Sequence, residues 1–184
     1  MNPLETLLSR KSHNKLAAPA PTQEQLQIMM QAALRAPDHA QLKPWHYRIY
    51  TGDSLVKLGE HFVTTSLEEN PVLSDDKIEK IRNKPLRAPM VIVASVKIVE
   101  HRKVPEVEQV LSAGASVQNL IMAAHFLGVG AIWRTGNLAF NRKLMDMLGF
   151  ATNESIVGFI YLGQELGDKK PVPDVEQAGF VEWV

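Results

Sequence analysis

The sequence predicts one α+β domain spanning residues 1–184. Three observations lead there. The chain has 184 residues, 45% of them apolar, enough to build a core without cross-links. Its hydrophobic periodicity switches several times between the helical and the extended pattern. Two helices precede the first strand, so the regular strand–helix–strand alternation of a doubly wound sheet is missing.

The elements follow in order. Asn2 as cap and Pro3 at the first helical position open a first helix that sets Leu4, Leu7 and Leu8 on one face. Residues 16–21 are rich in Ala and Pro and read as extended. A second helix starts at the capping box of Thr22 and Gln25. Leu26, Met29, Met30, Ala33 and Leu34 carry its apolar stripe, and Pro37 ends it. Residues 38–44 form a polar loop held between two prolines. Residues 46–51 alternate as a half-buried strand, with a turn at Gly52-Asp53. Residues 54–67 and 74–84 read as amphipathic helices. Residues 90–98 are β-branched and apolar, a central strand. Pro105 opens a long helix reaching Leu127, with Gly128 as its left-handed cap. A short strand (129–133), a helix (138–148) stopped by Gly149 and a strong strand (156–162) complete the core. The tail ends in Phe180-Val181-Glu182-Trp183-Val184, an edge-strand pattern. The total is about five strands and six helices.

Composition excludes several function classes. Lys+Arg and Asp+Glu each number 20, and a chain without basic excess is a poor nucleic-acid binder. The balance is uneven: residues 1–48 carry six basic and three acidic side chains, so an anion site is expected near the N-terminus. Cysteine is absent, which removes disulfides, thiolate nucleophiles and cysteine-based metal sites. The six histidines show no metal-ligand spacing, so no metal is expected. No signal pattern or spanning segment is present, and the longest apolar stretch, residues 120–133, is too short to cross a bilayer. A cytoplasmic protein is the expectation.

Four constellations could carry chemistry. Arg10-Lys11-Ser12 joins two cations to a hydroxyl and can clamp a phosphate; it equally suits a cationic helix end. The stretch from Arg35 to Trp45 packs Arg35, Asp38, His39, Gln41 and Lys43 into a short loop on rigid supports, and a plain surface loop fits it as well. Residues 130–137 run an apolar strand into Trp133, Arg134, Thr135 and Gly136, the kind of strand end where ligands sit; a solvent-seeking arginine is the plainer reading. Ser112-Ala113-Gly114-Ala115-Ser116 places small residues inside a helix and reads as a helix–helix or subunit contact. No glycine-rich nucleotide loop, nucleophile elbow or carboxylate pair is present.

These four stretches, in this order and spread over essentially the whole chain, resemble the nitroreductase family of FMN flavoproteins, and in particular its short bacterial NAD(P)H-dependent members. The late strand Ile156-Val157-Gly158-Phe159-Ile160-Tyr161-Leu162-Gly163 is similar too. The resemblance implies a nitroreductase-like fold, with a mainly antiparallel or mixed sheet flanked by helices. It implies a homodimer with FMN at the subunit interface. It aligns Arg10, Lys11, Ser12, Arg35, His39, Trp133, Arg134 and Thr135 with the family's FMN contacts. Ala123, Ala124, His125, Phe126, Leu127 and Gly128 align with a nicotinamide contact of the short members. The implied activity is hydride transfer from NADH or NADPH through flavin N5 to a nitroaromatic, quinone or similar small acceptor, in ping-pong order, with no catalytic side chain of the protein's own. The chain departs from the family at Lys11 and Asn14, where cations of another kind or place are usual, and shows no obvious phosphate-holding cation after Val172. That thinner clamp keeps open a non-catalytic flavin-binding protein, a carrier or sensor. A helical interaction protein is the third reading.

Overall fold

A computed structural model describes residues 2–167, 171–172 and 178–184. Its elements are α1 (Pro3–Ser9), β1 (Leu16–Ala17), α2 (Gln23–Ala33), β2 (Trp45–Thr51), α3 (Asp53–Glu69), α4 (Asp75–Arg82), β3 (Met90–Lys97), α5 (Glu106–Phe126), β4 (Gly130–Arg134), α6 (Asn137–Phe140), α7 (Arg142–Met147) and β5 (Glu154–Glu165), with 3-10 turns at His39–Gln41 and Pro85–Arg87.

The helix starts are local chemistry. Asn2 and Thr22 each accept from the backbone three residues on, and Glu5 and Gln25 reach back to the cap N–H groups. Both are complete capping boxes. Leu127 and Gly128 close α5, with Gly128 at φ +70°, a conformation that glycine adopts without strain.

The sheet is antiparallel at every pairing among the described residues. β5 is its hub. It pairs with β3 along most of its length, with β4 through Gly130↔Gly163 to Arg134↔Phe159, and with β1 at Leu16↔Glu165. β2 lies outside β3. The two-residue period sorts the core onto two faces. Val91, Val93, Ile132, Phe159 and Tyr161 pack against Leu55, Leu58, Phe62 and Leu144 of α3 and α7. Met90, Ile92, Ala131, Ile160 and Leu162 pack against Met29, Ala33, Leu120 and Ala124 of α2 and α5. Strand β3 is buried on both faces, which its unbroken apolar run required.

The small-residue run of α5 lets α2 approach. Ser116 Oγ donates to Ala33 O at 2.6 Å and takes a bond from the Tyr47 hydroxyl. Buried Glu154, at the start of β5, is held by Ser95 Oγ at 2.6 Å and Arg48 Nη1 at 3.0 Å. Burial opposes its charge, and these donors outweigh it, holding the carboxyl below its usual range.

Two expectations are corrected. The tail does not supply the fifth strand: residues 181–184 take no regular structure, and Trp183 is 96% exposed. Residues 173–177 of that tail lie outside the described residues. The fifth strand is the two-residue β1, too short to leave a periodic pattern. The helix expected over 138–148 is two helices broken at Asn141, whose side chain turns to cap α7 by accepting from the Leu144 N–H. The predicted face of α1 exists but is uncovered in the single chain: Leu4, Leu7 and Leu8 are all exposed, Leu8 at 75%.

Candidate functional site

The segment after α1 runs along the outer side of β4. His13 N–H donates to Ala131 O at 3.0 Å, which stitches Arg10, Lys11 and Ser12 beside the last turn of α5. Ser9 Oγ lies 3.1 Å from His125 Nε2. Lys11 Nζ and His13 Nδ1 approach the same Glu165 oxygen at 3.7 and 2.9 Å. His125 feels the positive field of this cluster. Burial, and then the charges of His13, Arg10 and Lys11, lower its pKa.

Strand alternation then divides the next group. On β4, Trp133 shares the face of Ala131 and donates from Nε1 to Val157 O at 3.2 Å. Arg134 shares the opposite face with Ile132. Its guanidinium carbon stands 5.8 Å from the centre of the Tyr161 ring, and its Nη2 reaches Asn14 Oδ1 at a long 3.4 Å. Arg134 Nε is buried and has no hydrogen-bond partner among the described residues. Gly158 opposes Trp133 closely enough that a Cβ there would fall 2.0 Å from the indole nitrogen.

Arg134 opens into a cleft of about 590 Å³ between α3, the end of β4 and the Pro85–Arg87 turn. Thr135 and Gly136 form its rim, and Phe159 and Tyr161 also line it. Lys84 and Arg87 line it too, two cations not assigned to the site from sequence. Burial, and then the charge of Arg87, lower the Lys84 pKa. Burial raises that of Tyr161 against the pull of Arg134 and Arg87. Among the described lining residues Glu69 is the one carboxylate, and Asn141 Nδ2 donates to it. The cleft is therefore an unbalanced cationic site.

Arg35 and His39 lie elsewhere. His39 Nδ1 is 2.6 Å from Glu108 Oε2, in the first turn of α5. Ser9 meets His125 in the last turn, about 25 Å away at 1.5 Å per helical residue. The loop that follows His39 is strained: Ala40, Gln41 and Lys43 all have positive φ, and Lys43 N–H is held by Asp38 Oδ2 at 2.6 Å. Non-glycine residues held there cost energy that the surroundings must over-determine. Within one chain the segment that follows Arg10, Lys11 and Ser12 meets β4 through His13 and Asn14, whereas His39 lies at the other end of α5.

In residues 123–128, Ala123 and Ala124 are buried in the core, His125 is half-buried beside Ser9, and Phe126 and Gly128 are exposed. Beyond these groups, an apolar groove of about 750 Å³ is lined by Val110, Leu111, Gly114, Phe140 and Val157, with Phe140 76% exposed. No cluster of metal-ligating side chains exists among the described residues. No described helix is long and apolar enough to cross a membrane.

Comparison with known proteins gives this geometry a lineage. The family model described as "Nitroreductase family" matches residues 7–164. An Escherichia coli protein named "Putative NAD(P)H nitroreductase YdjA" is 43% identical over 166 residues, covering 89% of this chain and 88% of that protein. A nitroreductase-like family protein from Bacillus cereus superposes with a TM-score of 0.85 at 20% identity, covering 100% of this chain and 96% of the other. A nitroreductase with bound FMN from Bacteroides fragilis superposes with a TM-score of 0.74 at 19% identity, covering 100% and 99%. The fold, the match over most of the length and the close relative together establish that this chain belongs to the nitroreductase family.

Proposed function

We propose that this chain is an FMN-dependent oxidoreductase. In this reading it passes a hydride from NADH or NADPH to a nitroaromatic, quinone or similar acceptor, and works as a homodimer. The observation that carries the reading is Arg134 Nε, a buried donor left without a partner beside a cleft rich in positive charge. An unmet buried donor costs about 1–3 kcal/mol, and an electron-rich, anionic ligand removes that cost. FMN fits on both counts: a phosphate for Arg10, Lys11 and Ser12, and a polar ring edge for Arg134, Lys84 and the rim at Thr135.

FMN supplies the redox chemistry when bound, accepting a hydride at N5 and giving up two electrons. The chain's own side chains bind and orient. Arg10 and Lys11 offer charge-assisted bonds to the phosphate, with Ser12 adding a hydroxyl. Arg134 and Lys84 lower the energy of negative charge on the ring edge. Trp133, pinned through Val157 O, gives a flat wall for packing a ring. In this reading donor and acceptor take turns in one cleft, which is a ping-pong order. A nicotinamide contact within residues 123–128 falls to His125, Phe126, Leu127 and Gly128, because Ala123 and Ala124 are packed inside.

The homodimer is supported by the separation along α5. A mononucleotide held at Arg10 does not reach His39 of the same chain, whereas a second copy in antiparallel arrangement brings its own Arg35 and His39 alongside. The uncovered apolar side chains of α1 and the groove at Leu111 and Phe140 supply surface for that contact. Purified protein should be yellow and should bleach on adding NADH or NADPH under nitrogen. Recolouring with a nitroaromatic distinguishes an enzyme from a flavin carrier. A colourless protein that refuses added FMN overturns the reading.

A further inference from the structure

We propose that Arg87 makes the cleft selective for electron acceptors that carry a carboxylate. The proposal rests on the flavin reading above and concerns what stacks in the cleft after the cofactor. Three cations line it among the described residues: Lys84, Arg87 and Arg134. Glu69, bonded by Asn141, is the one carboxylate among the described lining residues. Among the described residues neither the Lys84 nor the Arg87 side chain has an ion pair or hydrogen bond; the turn joins their backbones, Arg87 N–H donating to Lys84 O at 3.4 Å. A flavin presents its phosphate to Arg10 and Lys11, and to the cleft a single electron-rich edge. With Glu69 and that edge set against the three cations, one positive charge stays uncompensated.

Arg87 is the cation best placed to hold it. It closes the Pro85–Arg87 turn and is exposed, while Arg134 already reaches Asn14 at a long 3.4 Å and stands 5.8 Å from the centre of the Tyr161 ring. Its charge acts on both Lys84 and Tyr161, which line the same cleft. Its planar fork matches a carboxylate with two parallel bonds, which an ammonium does not. A carboxylate there would also relieve the repulsion between Arg87 and Lys84. The reaction at this site balances as ArNO₂ + NAD(P)H + H⁺ → ArNO + NAD(P)⁺ + H₂O. The nitro group gains two electrons and loses one oxygen as water, and the carboxylate is unchanged.

The test compares 4-nitrobenzoate with neutral 4-nitrobenzyl alcohol as acceptors for the holoprotein with NADH. A parallel titration uses benzoate, which is not reduced, followed by thermal shift. The wild type should favour nitrobenzoate in kcat/KM. Arg87→Gln should shrink that preference by about tenfold or more, mostly through KM, and weaken benzoate binding by a similar factor. Arg87→Lys should recover part of it, and added salt should weaken benzoate binding to the wild type. An unchanged acceptor ratio in Arg87→Gln overturns the proposal. So does loss of FMN with equal loss for both acceptors, which would make Arg87 a cofactor contact. A colourless protein without NAD(P)H oxidation fails the flavin reading instead. Benzoate binding that still depends on Arg87 then supports the anion site by itself, and its absence overturns it.

Discussion

Replacing Arg134 with Met should do opposite things to the free and the FMN-loaded protein. In the free protein the guanidinium has one long bond to Asn14, at 3.4 Å, and a position 5.8 Å from the Tyr161 ring. The first is close to the limit of a hydrogen bond. The second contributes about 0.5–2 kcal/mol, more when desolvated. Against them stands the unmet buried Nε, at about 1–3 kcal/mol. The terms nearly cancel, and Met keeps most of the apolar stem's packing. Arg134→Met should therefore leave the apoprotein's Tm within about 3 °C of wild type, or raise it, since 1 kcal/mol is about 2–4 °C in a chain of this size. With FMN the variant loses charge-assisted bonds of about 1.5–3 kcal/mol, a Kd increase of roughly 10–100-fold. At free FMN of about 100 times the wild-type Kd, the wild type gains about 2.7 kcal/mol. A variant with Kd raised about 30-fold gains about 0.9 kcal/mol by the same relation. Thermal shifts of both proteins, with and without FMN, measure all four numbers. An apoprotein that melts far below wild type while keeping its FMN affinity would refute the reasoning, because Arg134 would then be a strut rather than a ligand.

Three further outcomes are expected. His125 has a lowered pKa in the folded chain, so it favours the neutral form; its contribution is full above about pH 6.5, the unfolded value, and is lost as pH falls through the folded pKa. Cofactor-free wild type should accordingly lose Tm relative to His125→Gln between about pH 7 and pH 5, and a pH-independent difference counts against the positive cluster at Arg10. Arg10→Ala and His39→Ala should each lose FMN as homodimers, but a co-expressed mixture should recover about half the bound flavin per chain in its mixed dimers, since one of their two sites is intact. No recovery would mean that both residues serve the same chain's site or none. Gly158→Ala drives a methyl against the Trp133 indole and should cost about 1–3 kcal/mol in denaturant melts by overpacking; a neutral result would show that Trp133 moves freely.

Legibility followed the range of the interactions. Helix α2 starts where Thr22 and Gln25 put it, because a capping box is written within four residues. Strand β3 was plain because both its faces are buried. The tail misled because Phe180, Val181 and Trp183 have the residue types of a strand, but an edge strand also needs a neighbour with free backbone groups, which no local pattern reveals. At the candidate site, Arg10 and Arg134 stand in motifs the sequence shows, yet what brings the Arg10 segment alongside β4 is a backbone bond between His13 and Ala131, more than a hundred residues apart. Lys84 and Arg87 went unassigned for the same reason. They sit on an unremarkable connection, and only the register that sets Val91 opposite Tyr161 carries them to the cleft. Their one local signal is position, two cations around Pro85 at the mouth of the most apolar strand.

The hub position of β5 has a consequence for biosynthesis. β1, β3 and β4 all find a partner in residues 154–165, and among the described residues the β2–β3 pair is the one ladder that forms without them. A growing chain emerging from the ribosome holds β1 and β4 open until that late strand arrives, and only then does the sheet close in one step. Non-local closure of this kind is slow, and it exposes unpaired edges meanwhile. The nascent protein should lean on holdase chaperones late in translation, and nonsense truncations before residue 154 should aggregate rather than accumulate as smaller folded domains.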